Sequence, residues 1–523
     1  MCLLHTNLTV SFIFTKCLLR FYLFLISGFM VLMSKDEYIE SLKKLKPNIY
    51  KYGKLIEDVT TYPETKYTVY GVAELYRMAY DSKYCELITT KSNITGEIVN
   101  RYTSIMESVE DAIINLKLKR LAFQRTGTCT GGRCVGWSCM NSMWATTYEI
   151  DKEYGTDYHS RLRSWIKYVQ EEDLAIAGAL TDPKGIRGLS PSQQQDPDMY
   201  LRVVERRSDG IIVNGAKIMI AGVASCHEVF VMPTVGLRES EGDYALAFAV
   251  PRDADGLTIV EARQPNDSRK SENGFDKAVE VGGISQAYLF FDHVFIPWDR
   301  VFMCGEYKYA GISVARFTFY ERPTMAGCVA GQGDVKVAAA ALMAYTHGLG
   351  VRPFMDRFVD MVIDNETLFS CGLAAIYMGS KHPSGVWIPN PLLSNVAKWH
   401  VARIPYNTSI LCQDIAGGIG ETGCMPSYAD FKDSRIGKYI EKYLKTTSTA
   451  ESRMRAARLV EWVTMGAGVP GCMHGGGSPY TARAAIGSLI DFKEYVGIGK
   501  YLAGIEEDII ASCEEILKRK GKV

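Results

Sequence analysis

Hydrophobic positions recur at helical spacing in the first part of the chain, from residue 34 to about residue 173. Tyr38, Leu42 and Leu45 lie three or four positions apart and predict an amphipathic helix. The same spacing predicts helices over residues 104–118, from Trp137 onward, and over 158–173. We therefore expect an N-terminal helical domain over residues 34–173.

The pattern changes at Leu174 to short apolar runs, many of them rich in β-branched and aromatic residues. Most of these runs are bounded by Gly, Pro, Asn or Asp, which is typical of strands joined by turns. They lie at residues 174–180, 200–207, 210–217, 228–233, 244–251, 256–261 and 286–296. Strands this short and closely spaced favour a β-barrel or a β-sandwich. We expect a β-barrel domain over residues 174–302.

Helical spacing returns after Glu306, now in longer segments. The segments lie at residues 333–345, 355–378, 394–401 and 434–465. They predict a C-terminal helical bundle over residues 303–523. The chain as a whole is thus expected to be an α+β multidomain protein.

Residues 1–33 differ from the rest of the chain. They are apolar apart from a few residues such as Lys16 and Arg20, and the uncharged run 21–33 is too short to cross a bilayer. A signal-peptide core and a membrane anchor are two interpretations. We favour a third, a start assigned too early, with Met33 or Met30 as the natural first residue. We therefore expect no membrane association.

The composition excludes one class of function. Lys and Arg number 59, and Asp and Glu also number 59, so the chain lacks the net basic charge of a nucleic-acid binder. The 14 cysteines are scattered over the whole length, unlike the dense framework of a small secreted domain. We expect free thiols or metal ligands in a reducing, cytoplasmic compartment.

One glycine-rich stretch, residues 124–137, carries two cysteines with four residues between them, Cys129 and Cys134. A third, Cys328, lies in another glycine-containing segment. Three thiols on such backbone can supply most of the ligands of a four-iron cluster. They can equally be three unrelated buried thiols, and the spacing alone favours that alternative.

Two more glycine-rich loops interrupt the C-terminal part. Gln413, Gly417, Gly418 and Gly420 can let the backbone approach a pyrophosphate, although no strand precedes them as in a dinucleotide-binding fingerprint. A plain turn between helices explains them equally well. His474 opens the second loop. Most single histidines are structural, and His227 and His474 are the two that we retain as candidates for catalysis.

Several of these segments resemble the 4-hydroxybutyryl-CoA dehydratase family and, more distantly, the flavin-dependent 4-hydroxyphenylacetate 3-hydroxylases. The similar stretches are Gln124-Arg-Thr-Gly with Arg133-Cys-Val-Gly-Trp, Thr181-Asp-Pro-Lys-Gly, Asp196-Pro-Asp-Met with Arg202-Val-Val-Glu-Arg-Arg, Gly215-Ala-Lys, Phe291-Asp-His-Val-Phe-Ile-Pro-Trp-Asp-Arg-Val-Phe, and His474-Gly-Gly-Gly-Ser-Pro. They extend from about residue 34 to residue 483.

The resemblance implies an acyl-CoA-dehydrogenase-like fold, with a helical domain, a β-barrel and a helix bundle. It implies FAD between barrel and bundle, and a homotetramer in which the Gln413–Gly420 loop reaches a neighbour's flavin. We add Arg125 to His227 and His474 as candidate catalytic residues. Lys217 joins the glycine loop as a candidate for cofactor binding.

The resemblance also implies a [4Fe-4S] cluster held by three cysteines and one histidine. The cysteines correspond to Cys129, Cys134 and Cys328, and the histidine position is occupied by Glu321. Further departures from the family pattern are Met325, Val329, Ala221, Gln286 and Gly471. Glu321 is a hard oxygen ligand, Met325 cannot donate a proton, and Gln286 cannot titrate.

These features predict a flavin-dependent enzyme that dehydrates a 4-hydroxyacyl-CoA to an enoyl-CoA, with vinylacetyl-CoA isomerase activity as a possible companion. One alternative is an FADH2-dependent monooxygenase of the 4-hydroxyphenylacetate 3-hydroxylase type, which would take a small aromatic substrate. Another is a catalytically silent relative that binds acyl-CoA.

Overall fold

The computed structural model describes residues 32–128, 132–264, 267, 272, 274–280, 282, 285–422, 424–465 and 475–519. The expected apolar extension lies outside this part of the chain, apart from Leu32 and Met33. Cys129, His474 and Gly471 also lie outside the described residues. Within these ranges no helix is both long and apolar enough to cross a membrane.

Helices dominate the N-terminal part, and the four that the sequence predicts are confirmed. The helices here are α1 (Lys35–Lys43), α2 (Lys66–Ala79), α3 (Cys85–Ile88), α4 (Val109–Thr126), α5 (Gly132–Tyr154) and α6 (Tyr158–Glu171). Ser108 and Asp111 form a capping box at the start of α4, and Gly127 ends it with φ of 68°. Helix α5 begins five residues before Trp137 and so includes Cys134.

The strands form two main sheets and two short hairpins. They are β1 (Ile49–Lys51), β2 (Lys54–Ile56), β3 (Thr89–Lys91), β4 (Ile98–Asn100), β5 (Ile176–Ala179), β6 (Arg202–Arg206), β7 (Gly210–Ala221), β8 (Glu228–Val231), β9 (Leu246–Pro251), β10 (Leu257–Glu261), β11 (Gln286–Pro297), β12 (Val301–Cys304), β13 (Ser380–Lys381) and β14 (Trp387–Ile388). A short helix, α7 (Lys277–Glu280), lies between β10 and β11.

The expected closed barrel is not found in the described part of the chain. One sheet has six strands in the order β2-β1-β10-β11-β7-β6, and the other has four in the order β12-β9-β8-β5. Each has two free edges, and Phe248 of one sheet contacts Phe291 of the other edge to face, with ring centroids 6.1 Å apart. The strand predictions were therefore correct, and their closure into a barrel was wrong.

Long helices follow from residue 307, as predicted. They are α8 (Tyr307–Thr346), α9 (Met355–Tyr377), α10 (Pro391–Val401), α11 (Ile404–Ala416), α12 (Gly418–Glu421), α13 (Tyr428–Lys432), α14 (Gly437–Leu444), α15 (Ala450–Thr464), α16 (Pro479–Leu489), α17 (Phe492–Ala503) and α18 (Ile509–Arg519). The segment 434–465 that the sequence predicts as one helix is two, α14 and α15.

Helix α8 is 40 residues long and packs against α4, α5, α9, α10, α11 and α15. Pro323 lies inside it and removes the amide that would bond to the carbonyl of Phe319. The hydroxyl of Ser394, on α10, donates to the carbonyl of Asn390 at 2.7 Å and lies 3.4 Å from the carbonyl oxygen of Phe319. Helix α10 thus packs against the turn of α8 that Pro323 leaves one hydrogen bond short.

Glycines let α4 and α8 approach closely. A Cβ atom added at Gly327 would collide with the carbonyl oxygen of Leu116, and one added at Gly331 would collide with that of Arg120. The two backbones are therefore separated by less than a side chain. This close approach brings the side chains of α4 between those of α8.

Candidate functional site

Three helices contribute polar side chains to one buried point. Lys119 of α4 lies with its Nζ 3.1 Å from Oε2 of Glu321, on α8, and it donates to Thr324 Oγ1 at 2.7 Å. Ser138 of α5 donates to the same Glu321 oxygen at 2.7 Å. All four side chains are buried. One carboxylate oxygen thus accepts hydrogen bonds from both an ammonium and a hydroxyl group.

Two of the predicted cluster cysteines lie at this point. Sγ of Cys134 is 4.0 Å from Oε1 of Glu321, the carboxylate oxygen that Lys119 does not hold. Cys328 lies on α8, half-buried, with its Sγ 3.3 Å from the carbonyl oxygen of Met325. Both thiols contribute to the electrostatics of Lys119. The structure therefore places Cys134 beside Glu321, with Cys328 on the same helix as Glu321.

The charge of Lys119 is set by these neighbours. Burial by itself would lower the pKa of the ammonium group, but Glu321, Cys134 and Cys328 together raise that pKa above its ordinary value. Cys139, one turn further along α5, is different, because burial and then Glu321 raise the pKa of its thiol. Cys139 is consequently a neutral thiol beside a charged pair.

Lys119 is a site residue that the sequence analysis missed. It lies on the apolar stripe of α4, where Ala112, Leu116 and Phe123 occupy the other positions of the same helical face. A lysine on an apolar stripe must find an acidic partner or lose its charge. The position of Lys119 on the apolar stripe therefore indicates, from sequence alone, that a buried acidic residue packs against this face of α4.

The loop that follows His474 packs against this point. A Cβ atom added at Gly476 would lie 3.4 Å from Sδ of Met325 and 3.6 Å from Cγ of Glu321. Gly476 itself has a positive φ of 63°, a backbone conformation that is strained for any residue with a side chain. The loop therefore packs against the side chain of Glu321, which is about 150 residues away in sequence.

His227 is a structural residue in this fold. Its Nδ1 accepts from the amide of Ala175 at 3.0 Å, so its Nε2 carries the proton and donates to Ser41 Oγ at 2.7 Å. Burial first, and then Arg252 and Arg133, lower the pKa of the ring to about 3. Both nitrogens are in use and the ring stays neutral, which argues against the catalytic role we expected for it.

Lys217 is also fully engaged by the protein. Its Nζ lies 2.8 Å from Asp182 Oδ1 and donates to the carbonyl oxygens of Leu180 and Met232. An ammonium group has three N–H donors, and these contacts use all of them. The geometry argues against a cofactor contact through this group and assigns Lys217 to joining β7 with the neighbouring sheet.

Other predicted residues lie apart from the buried carboxylate. Arg125 is exposed on the last turn of α4, over the ring of Tyr84 at 5.4 Å. Gln413 is half-buried at the end of α11 and donates to Met465 Sδ at 3.3 Å. Added Cβ atoms at Gly417 and Gly418 would meet no protein atom within 4 Å, so the backbone there faces open space. Gly420 differs, since its Cβ would lie 2.8 Å from Ala416.

The departures at Ala221 and Gln286 turn out to be neighbours. They are direct partners in the register of β7 and β11, and both are half-buried. A small apolar residue and an amide thus stand side by side at this end of the sheet.

The described residues allow a test of the implied cofactors. The thiols of Cys134 and Cys328 are the donors that iron–sulfur clusters use, and Cys134 lies 4.0 Å from Glu321. The described residues alone contain no group of three His, Cys, Asp or Glu side chains that could hold a metal ion. The donor chemistry fits iron, with Cys129 outside the described ranges. For a flavin, the open backbone at Gly417 and Gly418 leaves room for a ligand.

Comparison with known proteins now places the chain. Residues 34–303 match the family model described as 4-hydroxyphenylacetate 3-hydroxylase N terminal, and residues 310–504 match the C-terminal model of that name. The chain belongs to the 4-hydroxyphenylacetate 3-hydroxylase family. Both models together span the helical, β and helical parts of the fold.

Within this family, the chain is 42% identical over 495 residues to a 4-hydroxybutyryl-CoA dehydratase/vinylacetyl-CoA-Δ-isomerase from Clostridium aminobutyricum, covering 91% of this chain and 100% of the relative. The structure of an oxygen-tolerant archaeal 4-hydroxybutyryl-CoA dehydratase from N. maritimus is similar, with a TM-score of 0.88, 40% identity, and 91% of this chain and 96% of that chain covered.

A 4-hydroxyphenylacetate 3-monooxygenase oxygenase component complexed with FAD has the same fold. It has a TM-score of 0.79 and 23% identity, covering 92% of this chain and 99% of that chain. The expectation of a mixed helix-and-sheet fold related to both branches of the family is therefore confirmed.

Proposed function

We propose that this protein is a flavin-dependent dehydratase that converts 4-hydroxybutyryl-CoA to crotonyl-CoA and isomerises vinylacetyl-CoA. The observation that carries the proposal is the position of Cys134, with its Sγ 4.0 Å from the Glu321 carboxylate, and of Cys328 on the same helix as Glu321. The full-length similarity to the dehydratase/isomerase supports the same reaction. The more distant monooxygenase fold supports FAD as the flavin.

Cys129, Cys134, Cys328 and Glu321 would hold the iron–sulfur cluster, and the open loop from Gln413 to Gly420 would contact FAD. When bound, the cluster supplies a Lewis acid for the leaving hydroxyl group, and the flavin supplies an acceptor for a substrate electron or hydrogen. Arg125 and His474 remain our candidates for catalytic residues.

Residues of the chain itself orient the Glu321 carboxylate and keep its surroundings dry. Lys119 and Ser138 hold one oxygen of Glu321, so the other oxygen, Oε1, is directed toward Cys134. Met325 and Val329 are buried on the same stretch of α8 and exclude water from it. A dry setting strengthens each electrostatic contact that the substrate makes there.

We also propose that copies of this chain assemble into a homotetramer in a reducing compartment such as the cytoplasm. Helices α16 to α18 carry large apolar side chains that are exposed in the single chain, among them Tyr480, Phe492 and Tyr501. Large exposed apolar side chains on successive helices are what an interface between copies would cover. The free cysteines in the described ranges support the compartment.

A second candidate is an acyl-CoA-binding protein without dehydratase activity. The specific observation in its favour is that Glu321, at the position of the family's histidine, is already held by Lys119 and Ser138. A carboxylate in an ion pair is a weaker ligand for iron than a free imidazole.

Purification without oxygen, followed by assays for iron, sulfide and flavin, separates these functions. We expect about four iron atoms per chain with bound FAD, and crotonyl-CoA from 4-hydroxybutyryl-CoA. We expect iron to be lost in Cys134→Ser and in Cys328→Ser. The control is Cys371→Ser, which changes a half-buried thiol on another helix, α9, and should keep its iron. Cluster-loaded protein that forms no crotonyl-CoA would refute the dehydratase, and bound acyl-CoA without iron would favour the second candidate.

A further inference from the structure

Two buried cations meet the backbone of the glycine loop, which we define as residues 475–477. Arg322 donates from Nε to the carbonyl oxygen of Gly476 at 2.9 Å and from Nη1 to Oδ1 of Asn395. Lys398 donates to the carbonyl oxygen of Gly475 at 2.6 Å. Asn395 and Lys398 lie one turn apart on α10. The two cations, one from α8 and one from α10, therefore lie at one place.

The charge of Arg322 has no acidic counterpart among the residues the structure describes. Arg322 is only 5% exposed, and no described carboxylate forms an ion pair with it. Its hydrogen-bond partners are a neutral carbonyl and a neutral amide. Buried charges are normally paired, so an oxygen with negative charge from a ligand would stabilise this cation.

One arm of the guanidinium is left for such a ligand. No described residue accepts a hydrogen bond from Nη2 of Arg322. Gly477 keeps the space beside it open, since an added Cβ would lie only 2.9 Å from Nη2, and its φ of 97° also disfavours a side chain. The glycine at this position thus leaves Nη2 uncovered.

The geometry points to Arg322 Nη2 as the donor that binds the carbonyl oxygen of the substrate's acyl thioester. This inference rests on the proposed function, because that function supplies an acyl-CoA. Gly476 lies against both Arg322 and Glu321, with its Cβ position 3.7 Å and 3.6 Å from their Cγ atoms. An oxygen bound at Nη2 would therefore belong to the acyl end of the substrate, on the side of Glu321, and not to the phosphates of CoA.

The test compares two ligands that differ only in that oxygen. Butyryl-CoA has the thioester carbonyl, and S-butyl-CoA, a thioether, lacks it. Calorimetry on the flavin-loaded protein should give the wild type an affinity for butyryl-CoA about tenfold above that for S-butyl-CoA, as for a charge-assisted hydrogen bond. Arg322→Gln should bring this ratio close to one and leave the affinity for S-butyl-CoA and the flavin content unchanged.

The matched control is Arg483→Gln, an exposed arginine just beyond the glycine loop, over the ring of Trp399 at 5.3 Å. It should keep the full ratio. If Arg322→Gln does not fold, Arg322→Lys decides, and we expect at least a threefold fall in the ratio because a lysine lacks the second arm.

An unchanged ratio in the folded variant, an equal loss of affinity for both ligands, or a loss of flavin would each overturn the assignment. The dehydratase proposal is judged separately by crotonyl-CoA formation. A wild type that shows the ratio but no product refutes the reaction and keeps the binding role of Arg322.

Discussion

Lys119 and Glu321 form an ion pair inside the protein, with Nζ 3.1 Å from Oε2 and neither side chain more than 6% exposed. The neighbours of Lys119 raise its pKa, so the pair's stabilisation is fully present at neutral pH and is lost only above the ordinary pKa of a lysine. The pair gives a buried carboxylate a cation of its own beside two thiols. The ion pair thus compensates the charge of Glu321 inside the protein.

Lys119→Met should lower the free energy of unfolding by about 3–5 kcal/mol, because it leaves the Glu321 carboxylate buried without a cation. Urea denaturation measures the change. The control is Lys46→Met, which removes an ion pair to Asp255 whose side chains are both exposed, and which should have no measurable effect. Lys119→Met with Glu321→Gln should recover much of the loss. If Lys119→Met and Lys46→Met lowered the free energy of unfolding equally, a buried ion pair at Lys119 would be contradicted.

The folded protein should lose stability in acid through His227, and the sign follows from its pKa. The folded pKa of about 3 lies below the ordinary value, so the unfolded chain takes up the proton first as the pH falls. Between about pH 7.5 and about pH 5.5 this costs about 1.4 kcal/mol of the free energy of unfolding. In His227→Gln, the free energy of unfolding should therefore differ between the two pH values by about that much less than in the wild type. Urea denaturation at each pH measures the difference.

If the free energy of unfolding of His227→Gln fell between the two pH values as much as that of the wild type, the ring of His227 would titrate in the folded protein. It would then be available for proton transfer after all, and the structural role we assign to it would be wrong.

Gly327→Ala should destabilise the protein by about 1–3 kcal/mol or more, because its Cβ would collide with the carbonyl of Leu116 and force α4 away from α8. Gly487→Ala is the matched control, since a Cβ at Gly487 on α16 would meet no atom within 4 Å. Helix propensity should make that change neutral or stabilising by about 0.5–1 kcal/mol. Thermal unfolding of both variants checks the pair, and similar shifts would contradict the close approach.

Much of the fold could be predicted because its helices and strands are long enough to show a period. Strands β1 and β2 were missed, since each has three residues and no alternation that can be distinguished from a turn. The barrel was wrong for a related reason. Strand content is encoded locally, but whether two sheets close depends on edge pairing between segments far apart in sequence.

The site was harder to predict. Glu321 and Cys328 came from the resemblance to a family, because no spacing joins them to Cys134, almost 200 residues away. Lys119 had a local signal in its apolar stripe, but the sequence did not show which acid it would meet. The role of Arg322 depends on where the glycine loop returns, and only the packing of α8, α10 and that loop shows it.

Pro323 has a consequence for the order in which the protein assembles. Since Pro323 leaves the carbonyl of Phe319 without its partner in the helix, that carbonyl is open to water until α10 docks and brings Ser394 to 3.4 Å from it. The turn of α8 that carries Glu321 and Arg322 should therefore become dry only late in folding, when the bundle closes around α8.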